Sequence, residues 1–539
     1  MINAYIIKED CVMAFYQRKP DIIIRGGTIV DGTGKMPYFA DIAIIGDKID
    51  YIGNLKGVSA PLEIDAHHKY VTPGFIDCHT HADGSLFNEP ECKSALYQGT
   101  TTMIVGNCGL MYTVDKNPAP DKVKGTMSRL IDEAEALHAS MNTAWMCGHN
   151  AMRQVAGIYT TDYTEEQFQV MADLLKEAME AGYIGLSTGL EFLPGILSKP
   201  EEVERLAQIV VDYDGNYSTH MRDEGYYVLE AVNEFLNVIR KTGLRGTVSH
   251  LNIKYDNGVP NDYLFKGMQM LKDAREVEHL NVYCDMLPNC FAPGSSFAML
   301  PPWLYVEGWD KAREILADSA GREKVKGDMD RYWRFLSYGQ WDRLLYMSCS
   351  HLPEIATIPF PDLCKQWGRE PVDTFLDIFM KAPTLEDANS VGMKGIVFGE
   401  QILIDSVVKD PIYMWMTDTG VYDETSGKGT IIDYMSMTHF FTRYVRDLGV
   451  ISIQDAVKKV GSVPAQHFML EGRGVLEVGN YADINVFNLY ELKENATFTD
   501  PCHYSSGMDY VLVNGQPVIA KGQYTGERSG RVLRHLPKK

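Results

Sequence analysis

Six residues of this chain carry side chains that bind transition metals or move protons, and each follows a short apolar run. His79-Thr80-His81 comes after Gly74-Phe-Ile-Asp-Cys78. Residues two apart in extended backbone face the same side, so both imidazoles can converge on one ion. Cys108 stands in Val105-Gly-Asn-Cys-Gly109, His220 in Tyr217-Ser-Thr-His220, His250 in Thr247-Val-Ser-His250 and Asp418 in Met416-Thr-Asp418. Thiolate and imidazole together favour zinc over magnesium or calcium. Zinc acidifies water and polarises carbonyls, and a nearby aspartate can carry the protons of a hydrolysis. Taken singly, each residue has a plainer reading: a surface histidine pair, a buried thiol, a hydrogen-bonded core histidine, a helix-capping aspartate. Six of them at the ends of predicted strands point to a metal centre instead.

Those strands must be positioned by a repeating scaffold. Eight short apolar runs begin near residues 74, 101, 143, 183, 216, 246, 281 and 413, with helical patterns between several of them. The clearest helix starts at the capping box Thr164-Glu-Glu-Gln167, continues as the stripe Phe168, Met171, Leu175 and Met179, and stops at Gly182. A second runs from Pro200 with Val203, Leu206, Ala207 and Val210. Alternation of this kind predicts a parallel sheet, and eight strands predict a closed (β/α)8 TIM-like barrel, whose active sites lie at strand C-termini. Both chain ends read differently. Residues 21–52, and again 482–487 and 510–513, are strand patterns separated by turns, with Asn514-Gly515 as a hairpin turn. The expectation is one β-sandwich domain made from 1–72 and 472–539 around a barrel of 73–471. Residues 286–346, with Pro288, Pro293, Pro301 and Pro302, fit no single strand–helix unit and are expected to form an insertion or lid near the barrel mouth.

Composition narrows the partners. The 539 residues carry 72 acidic against 51 basic side chains, a net charge of −21. That argues against nucleic-acid and anionic-membrane surfaces. The ten cysteines form no CxxC pair, so free thiols in a reducing compartment are expected. No signal-peptide core and no spanning segment is visible, which makes the cytoplasm the default location. The remaining histidines are weaker candidates. His67, His68 and His503 fall outside the barrel, His138 and His279 lie in Glu-rich helical text, and His351 and His439 stay open. His149, in Gly148-His-Asn-Ala-Met-Arg153, ends the third strand and either orients substrate or bonds within its loop.

At these residues the sequence resembles the D-aminoacylases, or N-acyl-D-amino-acid deacylases, of the metal-dependent amidohydrolase superfamily. The stretches that carry the resemblance include Pro73-Gly-Phe-Ile-Asp-Cys-His-Thr-His81, Val105-Gly-Asn-Cys-Gly109 and Gly185-Leu-Ser-Thr-Gly-Leu190. They continue with His220-Met-Arg-Asp-Glu-Gly225, Leu300-Pro-Pro-Trp303, Gly479-Asn-Tyr-Ala-Asp483 and Val513-Asn-Gly515, in order from about Asp21 to Arg534. The resemblance implies one tightly held Zn2+ on Cys108, His220 and His250, and a second, weaker metal position beside His79 and His81. It implies Asp418 as the catalytic aspartate. It also implies that Cys108 takes the place of the carboxylated lysine usual in the superfamily, since the fourth strand ends in Ser187-Thr188-Gly189.

Three positions depart from the family pattern, and all bear on substrate. Asn252 stands where the family shows a lysine, with Lys254 close by. Tyr283-Cys284-Asp285 replaces Tyr-Pro-Tyr, and Ile432 falls where an arginine is expected. These groups help the family hold an α-carboxylate, and losing a bidentate carboxylate partner is not conservative. Asp285 and Glu191 are expected to repel a carboxylate at the mouth. His149, Ser187, Arg222, Asn252, Lys254, Tyr283 and Asp285 are the candidate substrate contacts.

The expected activity is zinc-dependent hydrolysis of a linear amide C–N bond in a small molecule, with altered specificity and homo-oligomerisation left open. Cyclic amide hydrolysis of the dihydropyrimidinase or hydantoinase kind, and deamination, are the alternatives. A barrel without catalysis, used as a scaffold, is the alternative of another class.

Overall fold

The computed structural model describes residues 16, 18–111, 123–252, 262–329, 333–397 and 399–536. Eight strands form one parallel sheet: β1 (Phe75–Asp77), β2 (Thr100–Val105), β3 (Asn142–Gly148), β4 (Gly185–Gly189), β5 (Asn216–His220), β6 (Arg245–Val248), β7 (Val282–Met286) and β8 (Tyr413–Trp415). Neighbours in the sheet follow chain order from β1 to β8. Hydrogen bonds just beyond the two outermost strands nearly close it. Thr417 donates through its N–H (3.1 Å) and hydroxyl (2.5 Å) to Asp77. Asp418 N–H donates to His79 O (3.1 Å), and His81 N–H to Thr419 O (2.8 Å). Every residue of β2, β3, β4 and β5 is buried, as expected of parallel strands covered on both faces.

The crossover helices form where the apolar period is 3.6. Helix α1 (His149–Val155) starts directly at the end of β3. Helix α2 (Glu165–Ala181) has its Thr164–Gln167 capping box, buries Phe168, Met171, Leu175 and Met179, and ends at Gly182 with φ +101°. Helix α3 (Pro200–Val211) buries Val203, Leu206, Ala207 and Val210 behind a proline in its first turn. Helices α4 (Val228–Thr242) and α5 (Asp262–Glu276) repeat the plan.

The chain ends share a separate nine-stranded sheet, in which Ile484–Phe487 pairs antiparallel with Tyr70–Pro73. Ile22, Ile24, Ile42, Ile44, Ile64, Val71, Ile484, Val486 and Leu512 form its main apolar cluster. Asn514 and Gly515, at φ +49° and +79°, make the two-residue turn between Met508–Val513 and Gln516–Ala520. Arg473 pairs with Asp483 and donates to Asn514 Oδ1 (2.8 Å), and Asn514 N–H donates to Asp483 (2.7 Å), so the buried charge is matched.

Between β7 and β8 the chain makes an excursion over residues 287–412. The expected insertion, 286–346, covers only its first part. A three-stranded antiparallel sheet of Phe291–Ser295, Gly392–Ile396 and Leu344–Ser348 draws its strands from both sides of residue 346. The strand at 392–396 pairs across about a hundred residues, which no local pattern announces. The described chain divides into two compact units. One comprises residues up to 105, 129–145 and 416–534, and the other 106–128, 146–415 and the last residues. No disulfide joins the described cysteines, and no described helix is long and apolar enough to cross a membrane.

Candidate metal centre

The larger group of ligand side chains lies within the unit containing β4 to β8. Cys108 sits in the turn after β2 at φ +52°, followed by Gly109 at +70°. A Cβ on Gly109 would fall 2.3 Å from Asn150 Oδ1 and 2.6 Å from Gly189 N, so only glycine lets the turn lie so close to these neighbours. Ser187 fixes the turn from β4: its hydroxyl donates to Gly106 O (2.5 Å) and accepts from Gly109 N–H (3.1 Å). His220 ends β5, and His250 lies two residues past β6.

These side chains converge. His250 Nε2 is 3.3 Å from Cys108 Sγ and 3.0 Å from His220 Nδ1. The outer nitrogen of each ring meets a buried carboxylate. His220 Nε2 lies 2.9 Å from Glu191 Oε2, and His250 Nδ1 bonds Glu224 Oε1. Asn252 Nδ2 donates to the other Glu224 oxygen (3.2 Å) and to His250 O (2.5 Å). Asp285 accepts His250 N–H at 2.7 Å, and the Phe192 ring centroid is 4.2 Å from that of His220. All three candidate ligands are at most 6% exposed. Burial is the largest influence and opposes charge on the imidazoles, but Glu224 and Cys108 together, joined by Glu191 at His220, outweigh it and hold both above the usual histidine value, His250 well above.

The donor set suits zinc. A tetrahedral zinc with ligand bonds of about 2.0–2.3 Å sets ligand atoms about 3.3–3.6 Å apart. The observed 3.0 and 3.3 Å lie within a few tenths of that. Two carboxylates and a thiol crowded on two imidazoles also make a surrounding that a dication balances.

A second group belongs to the other unit. Nε2 of His79 and of His81 lie 3.4 and 3.1 Å from Asp418 Oδ1, and these three ligand atoms lie within 4.8 Å of one another. Asp418 is at φ +57°, a conformation that aspartate tolerates better than most residues. Its N–H on His79 O ties it to the HxH segment. Asp77 behind them is pushed up to about 7 by burial, against the hydrogen bonds it accepts from Thr417 and His79.

The candidate substrate contacts are mostly occupied. Ser187 holds the Cys108 turn, Asn252 holds Glu224, and Asp285 holds the His250 backbone. Arg222 is gripped by both oxygens of Glu234 at 2.9 Å each. Tyr283 is turned toward α5, where Arg275 donates to its hydroxyl (3.0 Å) and stacks 3.9 Å from its ring. His149 is fully buried, its Nε2 on Glu202 at 2.7 Å, and Glu202 also takes Arg153 Nη1 at 2.7 and 2.5 Å. Lys254 lies outside the described residues. Sequence reasoning missed Glu224 as a site residue. It lies four residues after His220 in a loop, where no periodicity marks which side chain turns inward.

The sequence profile of the amidohydrolase family matches residues 62–313 and 409–519, more than half of the chain. D-aminoacylase of Alcaligenes xylosoxydans xylosoxydans is 28% identical over 525 residues, covering 95% of this chain and 97% of that protein. The crystal structure of N-acyl-D-glutamate deacylase from Bordetella bronchiseptica, complexed with zinc and a phosphonate mimic of the tetrahedral intermediate, is 26% identical with a TM-score of 0.77. That likeness covers 96% of this chain and all of that one. L-hydantoinase (dihydropyrimidinase) from Arthrobacter aurescens, at 16% identity and TM-score 0.57 over 95% of this chain and 99% of that one, shares the fold alone.

Proposed function

The chain belongs to the amidohydrolase family, and on that premise we propose that it hydrolyses a linear amide C–N bond in a zinc-dependent reaction of the D-aminoacylase kind. The observation that carries this reading is the buried convergence of Cys108, His220 and His250. In this reading residues 73–471 carry the chemistry, and 1–72 with 472–539 form the accompanying β-domain. Cys108, His220 and His250 hold the zinc, with His79 and His81 adjoining a weaker second metal position. Bound there, zinc lowers the pKa of water toward about 7 and polarises the amide carbonyl.

The chain's own residues supply the rest. Asp418 takes the proton of the attacking water and returns it to the leaving nitrogen. Its Oδ1 lies 3.4 and 3.1 Å from Nε2 of His79 and His81, and its backbone N–H donates to His79 O, so the HxH segment sets its position before substrate arrives. Ser187 and Gly109 keep Cys108 in its turn.

We assign the substrate as an N-acyl compound whose amine half carries no carboxylate. Arg222 is engaged by Glu234, Tyr283 by Arg275 and Asn252 by Glu224, and Ile432 stands on an apolar, buried helix position. Glu191 and Asp285 add buried carboxylates. A bidentate cation for a substrate carboxylate is therefore not offered by these residues.

The test is turnover of N-acyl amines, the matching N-acyl-D-amino acids and cyclic amides, each with zinc supplied. The expected kcat/KM for the amines exceeds that for the acids by about tenfold or more. Faster turnover of the D-amino acids would overturn the substrate assignment alone. Turnover confined to cyclic amides would overturn the linear chemistry, and none in any class with zinc bound would favour a scaffold.

A further inference from the structure

We propose that Glu191 and Glu224 are positioning residues that decide which ring nitrogen of His220 and of His250 faces the metal. The inference rests on the metal reading above and concerns residues outside the donor set. A neutral imidazole has one N–H and one lone pair, and an ionised carboxylate can only accept. The ring nitrogen against a carboxylate therefore carries the hydrogen, and the lone pair sits on the other. Glu191 lies on Nε2 of His220, which leaves Nδ1 as the donor. Glu224 lies on Nδ1 of His250, which leaves Nε2. These are the two nitrogens that face each other at 3.0 Å, with Cys108 Sγ 3.3 Å from His250 Nε2. The two carboxylates thus turn two lone pairs and a sulfur toward one another, an arrangement that a metal ion bound between them would satisfy, as a shared proton would in its place.

Glu224 approaches the same cluster closely enough to be taken for a ligand. Its hydrogen bond is to Nδ1 of His250, and the same oxygen lies farther, 3.8 Å, from His220 Nδ1, so its direct action is on the His250 ring. Asn252 completes the device. Its Nδ2 donates both to Glu224 Oε2 and to His250 O. A backbone carbonyl only accepts, so the orientation of this amide is fixed, and Asn252 demands an oxygen at position 224. A glutamine there would give its oxygen to Asn252 and present its own NH2 to His250 Nδ1. That would push the hydrogen onto Nε2, the nitrogen the metal needs. The isosteric change is thus expected to be harmful, which a purely packing role for Glu224 would not produce.

The experiment measures zinc affinity by chelator competition, and cobalt(II) titration through the thiolate charge-transfer band that reports Cys108 on the ion. Wild type, Glu191→Ala, Glu224→Gln and the double variant Glu224→Gln/Asn252→Ala are compared, with thermal unfolding of the metal-free proteins as the folding control. Wild type is expected to bind tightly with a thiolate band. Glu191→Ala and Glu224→Gln should lose about 10–100-fold in affinity. The double variant should recover part of the loss, because the introduced amide can then turn its oxygen to His250. Wild-type affinity in both single variants would overturn the positioning role. If Glu191→Ala does not fold, Glu224→Gln decides alone. A wild type that binds neither ion would instead overturn the metal reading itself.

Discussion

At the residue scale, Asp418 is where metal binding and turnover should separate. In the proposed reading it carries the proton and is not a ligand of the Cys108, His220 and His250 set. Asp418→Asn should therefore keep wild-type zinc content while kcat falls by about 10²–10⁴-fold. Metal analysis beside a steady-state assay checks both halves, and retained activity would remove the assignment. HxH, the cysteine after the second strand and the two strand-end histidines stand out as candidates by residue type and position, and the fold brings His250 to 3.3 Å from Cys108 and 3.0 Å from His220. The sequence marks Glu191 as an acid at the mouth but not as the partner of His220, and does not mark Glu224 at all, because both lie in loops whose direction is set by tertiary contacts.

At the element scale, the first turn of α3 is bound to α1 by charge. Glu202 is fully buried and accepts from His149 and Arg153 of α1. Burial would raise its carboxyl, but the two hydrogen-bonded partners outweigh it and hold it below the usual carboxylate range. Burial likewise holds His149 below its ordinary value. Glu202→Ala leaves a guanidinium buried without its counter-ion and should destabilise the protein by about 3–5 kcal/mol, measured by chemical denaturation. A depressed carboxylate contributes stability fully above its unfolded value of about 4.3 and loses it as pH falls further. His149, depressed below about 6.5, pulls the same way, since the unfolded chain takes up the proton first. Wild type should weaken on acidification from pH 7 to 4, and Glu202→Gln should flatten the lower part of that slope.

At the scale of the whole molecule, the ion should act as a ligand of the native state. An ion that binds the folded chain and not the unfolded one stabilises it by about 4 kcal/mol at a thousandfold excess over its Kd. Zinc added to metal-free protein should raise the midpoint of thermal unfolding progressively with concentration, and Cys108→Ser should reduce the shift. An identical midpoint with and without zinc would count against a preassembled centre. The large net negative charge bears on solubility, whereas locally the buried acids Glu191, Glu224 and Asp285 are each committed to a histidine side chain or backbone.

The sequence by itself determined the eight strands, the helix α2 with its caps, the helix α3 with its first-turn proline, and the pairing of the two chain ends. Those features are written in local periodicity, turn chemistry and residue type, which act over a few positions. Only the tertiary structure decided how far the excursion after β7 extends, because its middle strand pairs across distant chain. It also decided that Arg222, Tyr283 and Asn252 are spent on protein partners. Whether a polar side chain is available to substrate depends on which neighbour folding brings within about 3 Å, and no spacing in the chain records that.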